Sequence, residues 1–211
     1  IAQNFQTRLR QPLQQAGIPI FYHGINSVAD IFEYIKQVGK ITDTIEKANH
    51  MVKSDEDTLR ILQEKYKNKA PRILILYVTP GGVRIAGEKT YLSDVFTKLG
   101  AINVAASWDP LPASGSMNDK ATAGFLPLDM EKIASAEVDR ILIVNHTIKG
   151  QEESSLINTF QGPAWQAVPA IHNKRYVILE KNFFGTIPFA QMSEVFTLGA
   201  NRLYETLPDE R

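Results

Sequence analysis

Four stretches place polar or aromatic side chains directly after a run of apolar residues: Tyr22-His23 after "IPIF", Thr79 to Arg84 after "RILILYV", Asn145-His146-Thr147 after "RILIV", and Lys181 to Gly185 after "RYVIL". Groups at the end of a parallel strand are delivered to the carboxyl edge of the sheet, where open α/β sheets bind ligands. The side chains on offer are two imidazoles (His23, His146), two cations (Arg84, Lys181) and an apolar or aromatic set (Tyr22, Val83, Phe183, Phe184). An imidazole is a metal-capable ligand, the aromatic set can bury an apolar molecule, and the cations can pair with its anionic groups. Each group also has a structural reading. Polar residues at strand ends commonly satisfy local backbone groups, and Phe183 and Phe184, being adjacent, cannot both face one cleft.

These residues do not form a catalytic constellation. "GGVRIAGEKT" has glycines and a Lys-Thr pair but fits neither the phosphate loop nor the dinucleotide fingerprint, and there is no GxSxG, HExxH or EF-hand loop. An α/β enzyme with His146 as general base would need a nucleophile or carboxylate beside the imidazole, and the sequence identifies none. We therefore expect a binding protein rather than an enzyme. His50, in mid-helix beside Met51, reads as a solvated or interface residue, and His172 as an exposed turn residue.

Composition narrows the chemistry further. The absence of cysteine excludes disulfides, thiolate nucleophiles and cysteine-bound metal centres. Twenty-three basic and 23 acidic residues cancel, so no global field attracts nucleic acid or an anionic membrane. No run approaches the roughly 18 apolar residues of a membrane helix.

The elements that must position the strand ends alternate. Residues 6–17 read as a helix, 18–23 as a short apolar run, and 28–38 as an amphipathic helix capped by Ser27 and stopped by Gly39. A single helix follows over about 42–68, with Thr42 or Asp43 as its N-cap and no Gly or Pro inside it. At 1.5 Å per residue it would be roughly 40 Å long, a rod between two lobes or a long helix lying on one sheet. Beyond it come strands at 72–78, 102–106, 140–145 and 175–179, and helices at 91–100, 128–136 and about 188–205. Continuous apolar strands joined by helices predict an α/β fold with a mostly parallel sheet covered on both faces. The polar stretch 107–124 is the one long loop.

The long helix between α/β regions, "LILYVTPGGVRIAGEKTYLSDVFTKLGAINVA", "LPLDMEKIASAEVDRILIVNH" and "PAWQAVPAIHNKRYVILEKNFFG" together resemble the helical-hinge (class III) substrate-binding proteins of ABC importers for siderophores, cobalamin and haem. The resemblance spans nearly the whole chain. It implies two Rossmann-like lobes joined by one long helix with the ligand between them: a partial N-terminal lobe over 1–41, the connecting helix over 42–69 and the C-terminal lobe over 70–211. Because the likeness begins inside a strand, it also implies that the first half of the N-lobe precedes residue 1.

The TPGG…TYLSD segment, a histidine after "ILIVN" and the late "FFG" are most similar to the haem-binding lipoproteins of Gram-positive iron uptake. That similarity implies haem as the transported ligand and His146 as an axial iron ligand, with an N-lobe methionine on the opposite face. Met51, Met117, Met130 and Met192 do not occupy that position. It further implies an extracytoplasmic protein, either periplasmic or held at the cell surface by a lipid anchor on the missing N-terminus, with Glu131 docking on an ABC permease. Two other cargoes remain open. A ferric hydroxamate siderophore would need contacts such as Trp108, Tyr22 and Arg84 rather than a protein ligand to the metal, and cobalamin is the other.

Overall fold

The computed structural model describes residues 2–3, 10–108, 124–146 and 160–204, without the side chains of residues 2, 3 and 22. Most of the long loop expected over 107–124 and the Thr147 end of one candidate stretch lie outside the described residues.

The chain opens with strand β1 (Ala2–Gln3), helix α1 (Arg10–Gln15) and strand β2 (Tyr22–His23), with β1 and β2 paired in parallel. Helix α2 (Val28–Ile41) starts as expected. The Ser27 hydroxyl accepts from Asp30 N, and the Asp30 carboxylate accepts from Ser27 N, a reciprocal capping box. It does not stop at Gly39, however. A Cβ at that position would stand 2.5 Å from Ala48 Cβ, so glycine is there to let the next helix cross closely. Left-handed Asp43 (φ 55°) then breaks the chain, and helix α3 runs from Ile45 to Tyr66 rather than from residue 42. Short polar side chains tolerate that conformation, which is why an apparent N-cap became the joint between two helices.

Helix α3 buries a single stripe, Ala48, Val52, Asp55 and Leu59, and packs on both α2 and the last helix, α8 (Met192–Tyr204). Asp55 sits in that stripe as a cap for α8: its carboxylate accepts from Ser193 N at 2.9 Å and from the Ser193 hydroxyl. A second carboxylate, Asp94 of helix α4 (Tyr91–Lys98), accepts from Val28 N at 2.7 Å and so holds the start of α2.

The remaining elements are β3 (Arg72–Thr79), β4 (Gly82–Ala86), β5 (Ile102–Asn103), β6 (Phe125–Leu126), α5 (Met130–Ser135), β7 (Arg140–Asn145), α6 (Pro163–Gln166), α7 (Pro169–His172) and β8 (Tyr176–Leu179). They form a six-stranded sheet of order β6-β4-β3-β7-β8, with β5 beside the start of β3. Strands β5, β3, β7 and β8 are mutually parallel, whereas β4 and β6 form an antiparallel flank on β3, and the sequence reading assigned neither of those two segments to a strand. Beyond β5, residues 104–107 form a single 3-10 turn instead of continuing the strand.

Alternation along the strands separates two cores. Ile73, Ile75, Leu142 and Val144 face α2, α3, α4 and α8, while Leu74, Leu76, Ile141 and Ile143 face α5, α6 and α7.

Candidate functional site at the carboxyl edge of the sheet

The parallel register brings the ends of β3, β7 and β8 to one edge. Val78 is opposite Asn145, Val144 opposite Leu179, and the ladder continues one residue further because His146 N donates to Val78 O at 2.7 Å. His146 has the parity of Leu142 and Val144, so its side chain lies on the first core's face of the sheet, with Tyr77. The rings of Tyr77 and His146 are 5.9 Å apart between centroids, and Phe125 of β6 lies 5.1 Å from Tyr77 on its other flank.

The half-buried His146 ring makes no hydrogen bond to a described residue. Nδ1 is shut off from solvent without a partner, so the imidazole is not capping the strand end. With Nδ1 enclosed, Nε2 is the nitrogen that a ligand can reach. What encloses Nδ1 is the turn Lys181–Gly185, a single wide helical turn that follows β8. Gly185 packs over Val144 and the imidazole, and its carbonyl accepts a long hydrogen bond of 3.4 Å from the Tyr77 hydroxyl. Burial raises the Tyr77 hydroxyl above the usual phenol range, so it stays a neutral donor.

The other sequence candidates divide. Arg84 is the Cα partner of Tyr77 across the β3–β4 ladder and shares its face. Lys181 begins the turn and lines it beside Gly185, and Phe183 is half-buried. Phe184 must be withdrawn as a cleft residue: it is 2% exposed, stacked on Phe96 at 5.6 Å inside the core. Val83 is also corrected, since it packs into the second core on the opposite face from Tyr77 and His146. The side chain of Tyr22 lies outside the described residues.

His23 has a different setting. Its ring lies 4.2 Å from Tyr34, 5.9 Å from Phe21 and, edge-on, 6.1 Å from Phe189. Burial depresses its pKa and favours the neutral ring. Sequence reading missed Tyr77, Tyr34 and Phe189. The signal for Tyr77 was its parity with Ile73 and Ile75 next to a strand end.

Trp108 lies far from this edge. It lines a concavity of about 610 Å³ with Arg72, Val104, Lys132 and Glu137, at the start of β3. Glu131, the proposed docking residue, is exposed on α5, whose N-cap Asp129 accepts from Lys132 N. No cluster of three or more His, Asp or Glu residues suited to a metal ion occurs among the described residues. No helix among them is long and apolar enough to cross a membrane.

Comparison with known proteins adds two findings. The family described as periplasmic binding protein matches residues 1–183. Among solved structures, S. aureus IsdE complexed with heme superposes with a TM-score of 0.78 at 19% identity, covering 97% of this chain and 76% of that one. An ABC transporter substrate-binding protein from Listeria monocytogenes EGD-e gives 0.74 at 22% identity over 95% and 74% of the two chains. The periplasmic heme-binding protein RhuT from Roseiflexus sp. RS-1, in apo form, gives 0.74 at 16% identity over 94% and 71%. Identities this low establish a shared fold. A comparison with curated protein sequences yields no match.

Proposed function

The chain belongs to the periplasmic binding protein family, and we propose that it is the extracytoplasmic binding component of an ABC importer for an iron compound, with haem as cargo and His146 as an axial ligand. The observation that carries this reading is the His146 imidazole. It stands at the carboxyl edge of the central parallel strands, is half-buried, and makes no structural hydrogen bond among the described residues, with Nδ1 the nitrogen that is enclosed. A ring that neither caps nor packs fully is free to ligate. Tyr77, Phe125 and Phe183 offer apolar surface to a planar ring, and Arg84 and Lys181 offer charge to its carboxylates. Heme is named for two of the similar structures, IsdE and RhuT, which supports the same choice. The siderophore alternative is weakened because Trp108, one of its three expected contacts, lies at the opposite edge of the sheet.

We assign residues 42–69 to the link between an N-terminal lobe and the C-terminal lobe, and Glu131 to permease docking. Titration of the protein with haemin tests the ligand. The wild type is expected to give the shifted Soret band of ligated haem, and His146→Ala to lose that shift and bind about tenfold more weakly or worse, at least 1.4 kcal/mol. An identical Soret position and affinity in the variant would remove His146 as a ligand.

A further inference from the structure

We propose that Gly185 is a positioning residue that fixes which nitrogen His146 presents; this rests on the reading of His146 as a ligand. A strand-end histidine is set on a face by strand parity, but its ring still turns about the terminal side-chain bond, and either nitrogen can point outward. The strand therefore does not choose the ligating atom. The returning turn after β8 does.

Gly185 closes that turn against the Nδ1 side of the ring. A Cβ built there would lie 3.2 Å from Lys181 Cγ, 3.6 Å from His146 Nδ1 and 3.7 Å from Val144 Cγ1. The backbone conformation is not the reason for glycine, because Gly185 is absent from the left-handed glycines of the described residues, Gly17, Gly82, Gly100 and Gly124. The reason is proximity. Without a side chain the turn lies against the imidazole and covers Nδ1, and Tyr77, bonded to the Gly185 carbonyl, holds the turn from the strand side. An alanine methyl would touch Nδ1 at ordinary contact distance and press on Lys181. The branched methyls of valine would reach the space that the ring edge now fills and force the imidazole to turn or swing away.

The test needs no haem. Aquopentaammineruthenium(II) exchanges its water for an accessible imidazole nitrogen, and the modified residue is located by peptide mass spectrometry. In the wild type, His146 should be modified along with exposed His50 and His172. Gly185→Val, whose branched methyls would displace the ring, should slow His146 modification about tenfold or more, whereas Gly185→Ala, whose methyl meets Nδ1 at ordinary contact distance, should leave it nearly unchanged. The rates at His50 and His172 should not change, which shows that the effect is local to His146, and an unchanged melting temperature shows that the fold is intact. If Gly185→Val does not fold, Gly185→Thr, branched in the same way, carries the test. Unmodified His146 in the wild type, or a His146 rate unchanged in a folded variant with a branched side chain at 185, overturns the proposal. Haemin titration of the same variants separates the two ideas: slowed modification with unaltered haemin binding leaves Gly185 as the positioning residue and removes haem ligation instead.

Discussion

The amino and carboxyl edges of the six-stranded sheet are built from similar residue types and use them in opposite ways. At the amino edge the groups close on one another. Arg72 N donates to Asp139 Oδ2 at 2.7 Å, Arg72 Nε to Glu137 O at 2.8 Å, and the buried Arg140 to Arg202 O at 2.6 Å. The Nε of Arg175 is an exception there, a buried nitrogen without a hydrogen-bond partner. At the carboxyl edge the half-buried His146 leaves both ring nitrogens unused among the described residues, with Nδ1 covered. The concavity of about 610 Å³ lies at the amino edge, where Arg72 is already committed to structure. Unspent bonding capacity, more than the size of a hollow, separates a site from a seam.

If this contrast holds, substitutions at the two edges should move different observables. The largest effect on stability is expected for Arg140→Ala. It strips a buried donor from the Arg202 carbonyl near the end of α8 and should destabilise by about 2 kcal/mol, lowering Tm by ~4–8 °C in a chain of this size. Haemin affinity of the folded fraction should be unchanged. Asp139→Ala removes one acceptor at a more exposed position and should cost about 1 kcal/mol, again without altering binding. His146→Ala should do the reverse, leaving Tm within about 2 °C of the wild type while binding is lost, because the imidazole makes no hydrogen bond that folding relies on. Thermal melts run beside haemin titrations would break the contrast if His146→Ala melted as low as Arg140→Ala.

Much of the C-terminal sheet is legible in the sequence because strands buried on both faces must be continuously apolar. Arg140–Asn145 occupies the span expected for it, and β3 runs only one residue past its expected end. The β3–β4 hairpin is not legible, since "GGVRIA" is short, opens on glycines and shows no strand signal until β3 is there to pair with it. Gly39 misleads for a related reason. A helix-ending glycine and a helix-crossing glycine look alike until Ala48 is known to lie against it. In the site, strand-end position picks out His146 and Lys181, but it cannot tell Phe183 from Phe184, because the turn that separates them is set by packing on Phe96. Tyr77 escapes notice because it sits inside an apolar strand, and Gly185, though inside a strand-end stretch, offers no side chain to be weighed as a site residue.

The smallest expected effect concerns the other strand-end histidine, His23, which tests whether a carboxyl-edge position alone makes a site. Its ring is packed among Phe21, Tyr34 and Phe189, and burial holds its pKa below the ordinary value of about 6.5. In the window between that depressed value and about 6.5 the unfolded chain binds a proton that the folded chain refuses, so stability must fall as pH drops through it. The contribution is fully present above about 6.5. Urea unfolding at pH 7.5 and pH 5.5 should therefore show a larger loss in the wild type than in His23→Phe, which keeps the aromatic packing and removes the titration. Equal losses in the two proteins would mean that the ring is not desolvated by its aromatic neighbours, and His23 would then join His146 as a second open imidazole at a strand end.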